Sequence, residues 1–221
     1  MENKKEEALI QEPMWPSLVA LTSAAALYTV MPDRVAITGP PWLLLAIVFG
    51  LMIPGEIAHN MGKHVVCKVV SYSVLSMLTG AMTWSIVHHV MAISYKTLPP
   101  DRLLVSAIVL WVTNILVFAG WYWRLDAGGP HKRSSIKGHK EGAFLFPQMT
   151  LSDTALGETE EIENWSPQFV DYLFLSFNTS TALSPTDVPA LSRWAKGLMM
   201  VQASLSLTVI VFLAARAVNI L

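Results

Sequence analysis

The sequence predicts an all-α fold, a polytopic transmembrane helical bundle, and three observations carry that reading. Hydrophobic residues make up 53% of the 221 and charged residues only 14%, where a soluble domain averages about 25% charged. The apolar residues gather into six runs, at 16–31, 41–59, 65–93, 103–123, 167–183 and 190–217. Proline and glycine punctuate the joins, at Pro32, Gly39-Pro40-Pro41, Pro54-Gly55, Pro99-Pro100 and Gly128-Gly129-Pro130. A crossing needs roughly 17–25 residues at about 1.5 Å each. The first run is short, the third is long enough to tilt, and the fifth sits at the lower limit.

Residues 1–15 read as a cytoplasmic N-terminal tail. MENKKEEALIQEP is too acidic and too long for a simple signal peptide, so no cleavage is expected. Residues 16–123 form a four-helix transmembrane region. On the second helix Glu56 and His59 make one E-x-x-H pair. Di-metal bundles need a second copy from another helix, and the sequence has none. His88 and His89 lie near the far end of the third helix and point about 100° apart, so they chelate one ion poorly. No metal and no cofactor is expected.

The third helix also carries Ser73, Ser76, Gly80 and Thr83 at spacings of three and four. Small and hydroxyl residues on one face let helix backbones approach in lipid, so this stripe reads as a packing surface. Asn114 on the fourth helix, with Gln202 and Ser206 on the last, should face other helices and hydrogen-bond there. Trp121, Tyr122 and Trp123, just before Arg124, fit an aromatic belt at the membrane interface.

Residues 124–165 form the one sizeable polar stretch, a cytoplasmic loop. It begins basic (HKRSSIKGHK) and ends acidic (Glu158, Glu160, Glu161, Glu163), a pattern read as solvated. Between the two, GAFLFPQ could form a short strand or lie on the membrane surface. Residues 166–221 read as a C-terminal hairpin. Ser166-Pro167 should cap a helix running to about Leu183. Pro185 should end it, and Thr186 or Asp187 should cap the last helix.

Lysine and arginine set the orientation. If all six runs cross with the N-terminus inside, ten lie inside and five outside, and both termini are cytoplasmic. If 167–183 instead dips in and returns, the split is eleven to four. Either way the N-terminus is in. A net charge of −1 offers no cation excess for a nucleic-acid partner. The single cysteine, Cys67, excludes an internal disulfide. No nucleophile elbow, phosphate loop or paired catalytic carboxylates are present, and the chain is not read as an enzyme.

Within 172–221, the aromatic YLFLSF leads to T-S-T, then D-V-P, then a long apolar helix. This part resembles the pore segment and inner helix of the potassium-channel superfamily. The superfamily's filter glycines are replaced here: aligning Asp187 with the aspartate after the filter puts Ser184 and Thr186 in their places, with Pro185 between. A potassium-selective carbonyl cage is therefore not expected. Through WYWRLDAGGP, FLFPQ and the C-terminal block, most of the chain also resembles an uncharacterised family of bacterial integral membrane proteins, which implies no established activity.

The expected function is ion-channel-like or transport-related, in the bacterial inner membrane. The alternative is a non-transporting scaffold or accessory subunit whose polar residues only lock helices together. The lipid bilayer is the expected partner, and a homo-oligomer is left open. Asn178, Thr179, Thr181 and Asp187 are the candidate ion or substrate path, placed together in an outward-facing polar vestibule.

Overall fold

The computed structural model describes residues 14–32, 40–61, 63–95, 99–133, 142–150, 165–181 and 187–220. These residues are helical throughout except for short connections. The helices are α1 (Trp15–Leu27), α2 (Leu43–Asn60), α3 (His64–Ser94), α4 (Pro100–Leu125), the single turn α5 (Pro130–Arg133), α6 (Phe169–Thr181) and α7 (Arg193–Ile220). Three stretches are long and apolar enough to cross a membrane: Val65–Ala92, Asp101–Gly128 and Arg193–Ala215. The apolar helices Trp15–Val30 and Leu43–Gly55 are shorter.

Helices α1 to α4 run up and down. Tyr28 Oη donates to the Ala81 carbonyl at 2.9 Å and meets the Ser85 hydroxyl, tying the end of α1 to α3. Trp121 Nε1 donates to Thr79 Oγ1 at 2.9 Å, while Ser106 Oγ and His89 Nδ1 lie 3.0 Å apart. Those two pairs make α3 and α4 antiparallel. At Gly120 the three helices meet: an added Cβ would lie 2.8 Å from a Leu75 methyl and 3.3 Å from a Leu21 methyl, so a larger residue would have to push those side chains aside. Thr22 and Met52 join α1 to α2, which packs on the outside of α1 and α3.

Helix α4 is the centre of the molecule. It packs against α1, α3, α6 and α7. Two thirds of its apolar window (67%) is buried, against 17% for α7, which is therefore peripheral. One apolar core, with Leu21, Ala24, Val48, Leu75, Leu78 and Val117, joins α1 to α4. The other is aromatic and joins α4 to α6 and α7 through Phe118, Tyr122, Trp123, Phe144, Phe169 and Tyr172.

The C-terminal part is not a hairpin. Ser176 pairs with Gln202 and Ser180 with Ser206, a constant offset that makes α6 and α7 parallel. Against α4, Tyr172 reaches Asp126, Ser176 reaches Ile115, and Phe177 meets Trp111. So α6 runs antiparallel to α4, starting where α4 ends. Helix α7 starts at that same end, because Trp194 packs edge-on against Phe144 at 6.0 Å and Phe144 does the same to Tyr172. The chain has therefore come back before α7 begins. Residues 182–186, where Pro185 was expected to end the helix, lie outside the described residues.

The expected caps also move. Residues 165–168 are not helical, and the first turn of α6 is closed by Asp171 Oδ2, which accepts the Gln168 N–H at 2.7 Å. Ser192 Oγ accepts the Ala195 N–H at 3.3 Å and caps α7. Of the expected caps, Thr186 lies outside the described residues and Asp187 stands six residues before α7. Between them and the helix, Pro189 O accepts the Leu145 N–H and Ala143 O accepts the Leu191 N–H, around a bridge between Phe144 and Ala190. The GAFLFPQ stretch thus supplies a short extended pairing, with Phe144 and Phe146 buried. Two further differences concern side chains. Ser73, Ser76, Gly80 and Thr83 are exposed, and a Cβ on Gly80 would meet nothing within 4 Å. Tyr122 and Trp123 are core residues rather than a belt. His89 is buried against Ser106 of α4.

Candidate functional site

The polar interior is built around α6. Ser176 Oγ donates to the Ile115 carbonyl at 2.7 Å and accepts from Gln202 Nε2 at 2.8 Å. Gln202 Nε2 also donates to the Ser176 carbonyl at 2.8 Å, and Gln202 Oε1 accepts from Tyr122 Oη at 2.5 Å. One turn further along, Ser206 Oγ donates to the Ser180 carbonyl at 2.6 Å, and the two hydroxyl oxygens lie 2.7 Å apart. All these residues are wholly buried. Three helices are joined by them at the depth of the hydroxyl-rich stretch.

The candidate path residues divide. Thr179 is buried and its hydroxyl donates to the Leu175 carbonyl at 2.8 Å. Thr181 is half-buried and donates to the Asn178 carbonyl at 3.0 Å. Asn178 is half-buried as well. These three share the C-terminal end of α6, opposite the middle of α4. Asp187 is exposed and stands three residues before Ala190, at the other end of α6. The structure does not bring it together with the threonines, because the chain has returned by then. The first turn of α6 carries Asp171, half-buried; burial raises its carboxyl above the ordinary range, and the Gln168 N–H works against that.

A second polar cluster closes the end where α4 stops. Asp126 is fully buried; its Oδ1 accepts the Ala143 N–H at 2.5 Å and its Oδ2 accepts Tyr172 Oη at 2.6 Å. Arg133, also buried, donates to the carbonyls of Trp123 and Asp126 at 2.8 and 2.9 Å, and its guanidinium lies 5.0 Å from the Tyr172 ring centroid. The turn that permits this has three consecutive positive φ angles: Ala127 at 48°, Gly128 at 83° and Gly129 at 95°. At Gly129 an added Cβ would also lie 3.0 Å from the Arg124 carbonyl. Asp126, Arg133 and Tyr172 were not among the sequence candidates. The signal was D-A-G-G-P: a carboxylate and a tight turn directly after an apolar run.

Asn114 departs from expectation in a different way. It is wholly buried, yet both its amide atoms lack a hydrogen-bond partner, as do Trp111 Nε1 and Thr113 Oγ1. Among the described residues no group of three histidine, cysteine or acidic side chains could hold a metal. A groove of about 380 Å³ between α1 and α2, lined by Leu18, Thr22, Phe49 and Met52 among others, is apolar and holds none of these residues. Comparison with known protein families, characterised proteins and solved structures gave no match.

Proposed function

We propose that the chain is a multi-pass protein of the bacterial inner membrane with an ion-channel-like or transport-related activity. The observation that carries this is the direction of α6. At 13 residues it is about 20 Å long, short of the roughly 30 Å hydrocarbon core. It enters beside the end of α4, and the chain is back at that end before α7 starts. In lipid such a re-entrant segment is tolerated only where protein buries it or water reaches it. Half-helices of this kind end at ion and substrate sites in transporters.

The re-entrant arrangement also supports one orientation. It corresponds to the eleven-to-four split of lysine and arginine, with the N-terminus and the 124–165 loop in the cytoplasm. On this reading α6 enters from the cytoplasmic face, opposite to a pore loop that enters from outside. The C-terminus then lies outside rather than in the cytoplasm.

A second reading rests on a specific observation: Ser176, Ser180, Gln202 and Ser206 bond to one another within one chain. This is what a scaffold or accessory subunit needs and asks for no conduction. Flux from reconstituted vesicles separates the two. On the transport reading, purified protein carries ions, and Thr181→Ala or Asp187→Asn changes the rate at least severalfold. Thr179→Ala tests the same path, although its hydroxyl is turned back on its own helix. Absence of flux in the unaltered protein, or flux indifferent to all three changes, leaves the scaffold reading.

A further inference from the structure

One charge near the end of α4 has no counter-charge. Arg124 belongs to the last turn of that helix. Its guanidinium lies 4.7 Å from the Trp123 ring centroid and hydrogen-bonds the Cys67 side chain of α3. Tyr72, also on α3, acts on it from close by, and so does Arg133, another cation. Among the described residues no carboxylate pairs with Arg124. From His64 to Leu125 the only acidic residue is Asp101, at the opposite end of α4. Asp126 is turned to residue 143 and Tyr172 instead.

The surroundings of this guanidinium are basic. Lys63 immediately precedes α3, and its carbonyl accepts the Cys67 N–H at 3.2 Å, one turn along. Lys68 stands one turn before Tyr72. Each of the two α3 residues beside Arg124 therefore has a lysine one turn nearer the helix start. Both lysines are exposed, and neither has an ion-pair partner among the described residues. Tyr72 stacks on Trp121 at 5.9 Å between centroids, so rings line the deeper side. The Tyr72 hydroxyl bonds to nothing among the described residues.

A cation within a membrane span is costly unless it is paired or reaches water. A guanidinium suits a phosphate, which it grips through two parallel N–H bonds. Here its one hydrogen-bond partner is a sulfur, a weak acceptor. In the orientation proposed above this end of α3 and α4 faces the cytoplasm, where the leaflet carries anionic lipid. Aromatic rings sit at headgroup level, and lysines reach past apolar surface to charge. A zwitterionic lipid would bring a further cation to a place that already holds three.

We propose that Arg124, Lys63, Lys68 and Tyr72 form a site for the headgroup phosphate of an anionic phospholipid, between the start of α3 and the end of α4. Arg124 grips the phosphate oxygens, Tyr72 Oη donates to them, and the lysines supply charge. Val65 and Val69, exposed on the same stretch of α3, offer an apolar surface to the acyl chains. The site rests on the membrane reading and on neither of the two activities.

Phosphatidylglycerol is the probe, and phosphatidylcholine with the same acyl chains is the control. The purified protein in a neutral detergent is titrated with each lipid. Two quantities are read: the unfolding midpoint, and the rate at which Cys67, the only thiol, reacts with a small uncharged maleimide. The expected result is a saturable rise of several degrees with phosphatidylglycerol alone, while Cys67 reacts at least threefold more slowly. Arg124→Gln should lose both responses. Lys63→Gln combined with Lys68→Gln alters exposed side chains, so it should fold normally and need at least fivefold more phosphatidylglycerol. If Arg124→Gln does not fold, the lysine pair and the Cys67 rate decide. Equal responses to the two lipids, or an unchanged phosphatidylglycerol response in either variant, would overturn the proposal. So would a midpoint rise that leaves the Cys67 rate unaltered, which would place the lipid elsewhere. The same rise with millimolar inorganic phosphate would also overturn it, because the occupant would then be a soluble anion.

Discussion

Gln202 makes three hydrogen bonds to two other helices, so its loss should be felt in all of them. Gln202→Ala removes the acceptor of Tyr122 Oη and the donor to the Ser176 hydroxyl and carbonyl, and should cost about 1–3 kcal/mol of stability. Unfolding in detergent measures this. Tyr122→Phe should overlap with it, and a double-mutant cycle should return a coupling of about 0.5–3 kcal/mol. The sequence made Gln202 and Ser206 legible as interhelical groups, because polar atoms in an apolar run have nowhere else to turn. It could not separate them from Asn114, which obeys the same rule of residue type; pairing depends on which helix arrives opposite. A titrating residue gives a different test. The Asp171 carboxyl has a folded pKa above its unfolded one, so the folded state binds more protons between the two values. Stability relative to Asp171→Asn should therefore fall as pH rises from the ordinary carboxylate range, near 4, through the raised folded value, and then level off. A gain with rising pH would contradict it.

Among the elements, the turn after α4 organises the most. Asp126 fastens residue 143 and α6 to the end of α4, and Arg133 folds back beneath the same turn. Asp126→Ala removes the acceptor of the buried Ala143 N–H and of Tyr172 Oη, a loss of about 1–3 kcal/mol for each bond. Gly129→Ala forces an alanine to φ near 95° against a carbonyl, and should cost more than about 1 kcal/mol. Either result is read from the unfolding midpoint. The helices themselves were legible from apolar runs, since length and hydropathy are local properties. The direction of α6 was not. Ser184-Pro185 describes a competent corner, and a corner predicts antiparallel neighbours; the offset between Ser176 and Gln202 is a tertiary fact with no local signature.

For the whole molecule, the proposed topology, in which α1 to α4 and α7 cross and α6 enters and leaves, puts the two termini on opposite sides. In a Cys67→Ser background, Leu221→Cys should react with an impermeant thiol reagent from outside intact cells. Cys67 in the unaltered protein should react only once the cytoplasmic face is opened. Labelling of Leu221→Cys only from the inside would restore six crossings. The peripheral place of α7, whose apolar window is 17% buried, leaves its outer face to lipid or a further protein surface.

The parallel arrangement also has a consequence for how the chain is made. Helix α6 leaves the ribosome before α7, yet its polar side chains are met by Gln202 and Ser206, which come 26 residues later. An α6 of 13 residues, with serines and threonines along it, has little tendency to enter a bilayer unaided. Synthesis therefore has to continue through Ser206 before α6 can settle, and α7 must be threaded singly rather than as half of a hairpin. On the proposed topology, a chain truncated at residue 196 should leave α6 at the cytoplasmic surface, open to protease, whereas the full-length chain should protect it.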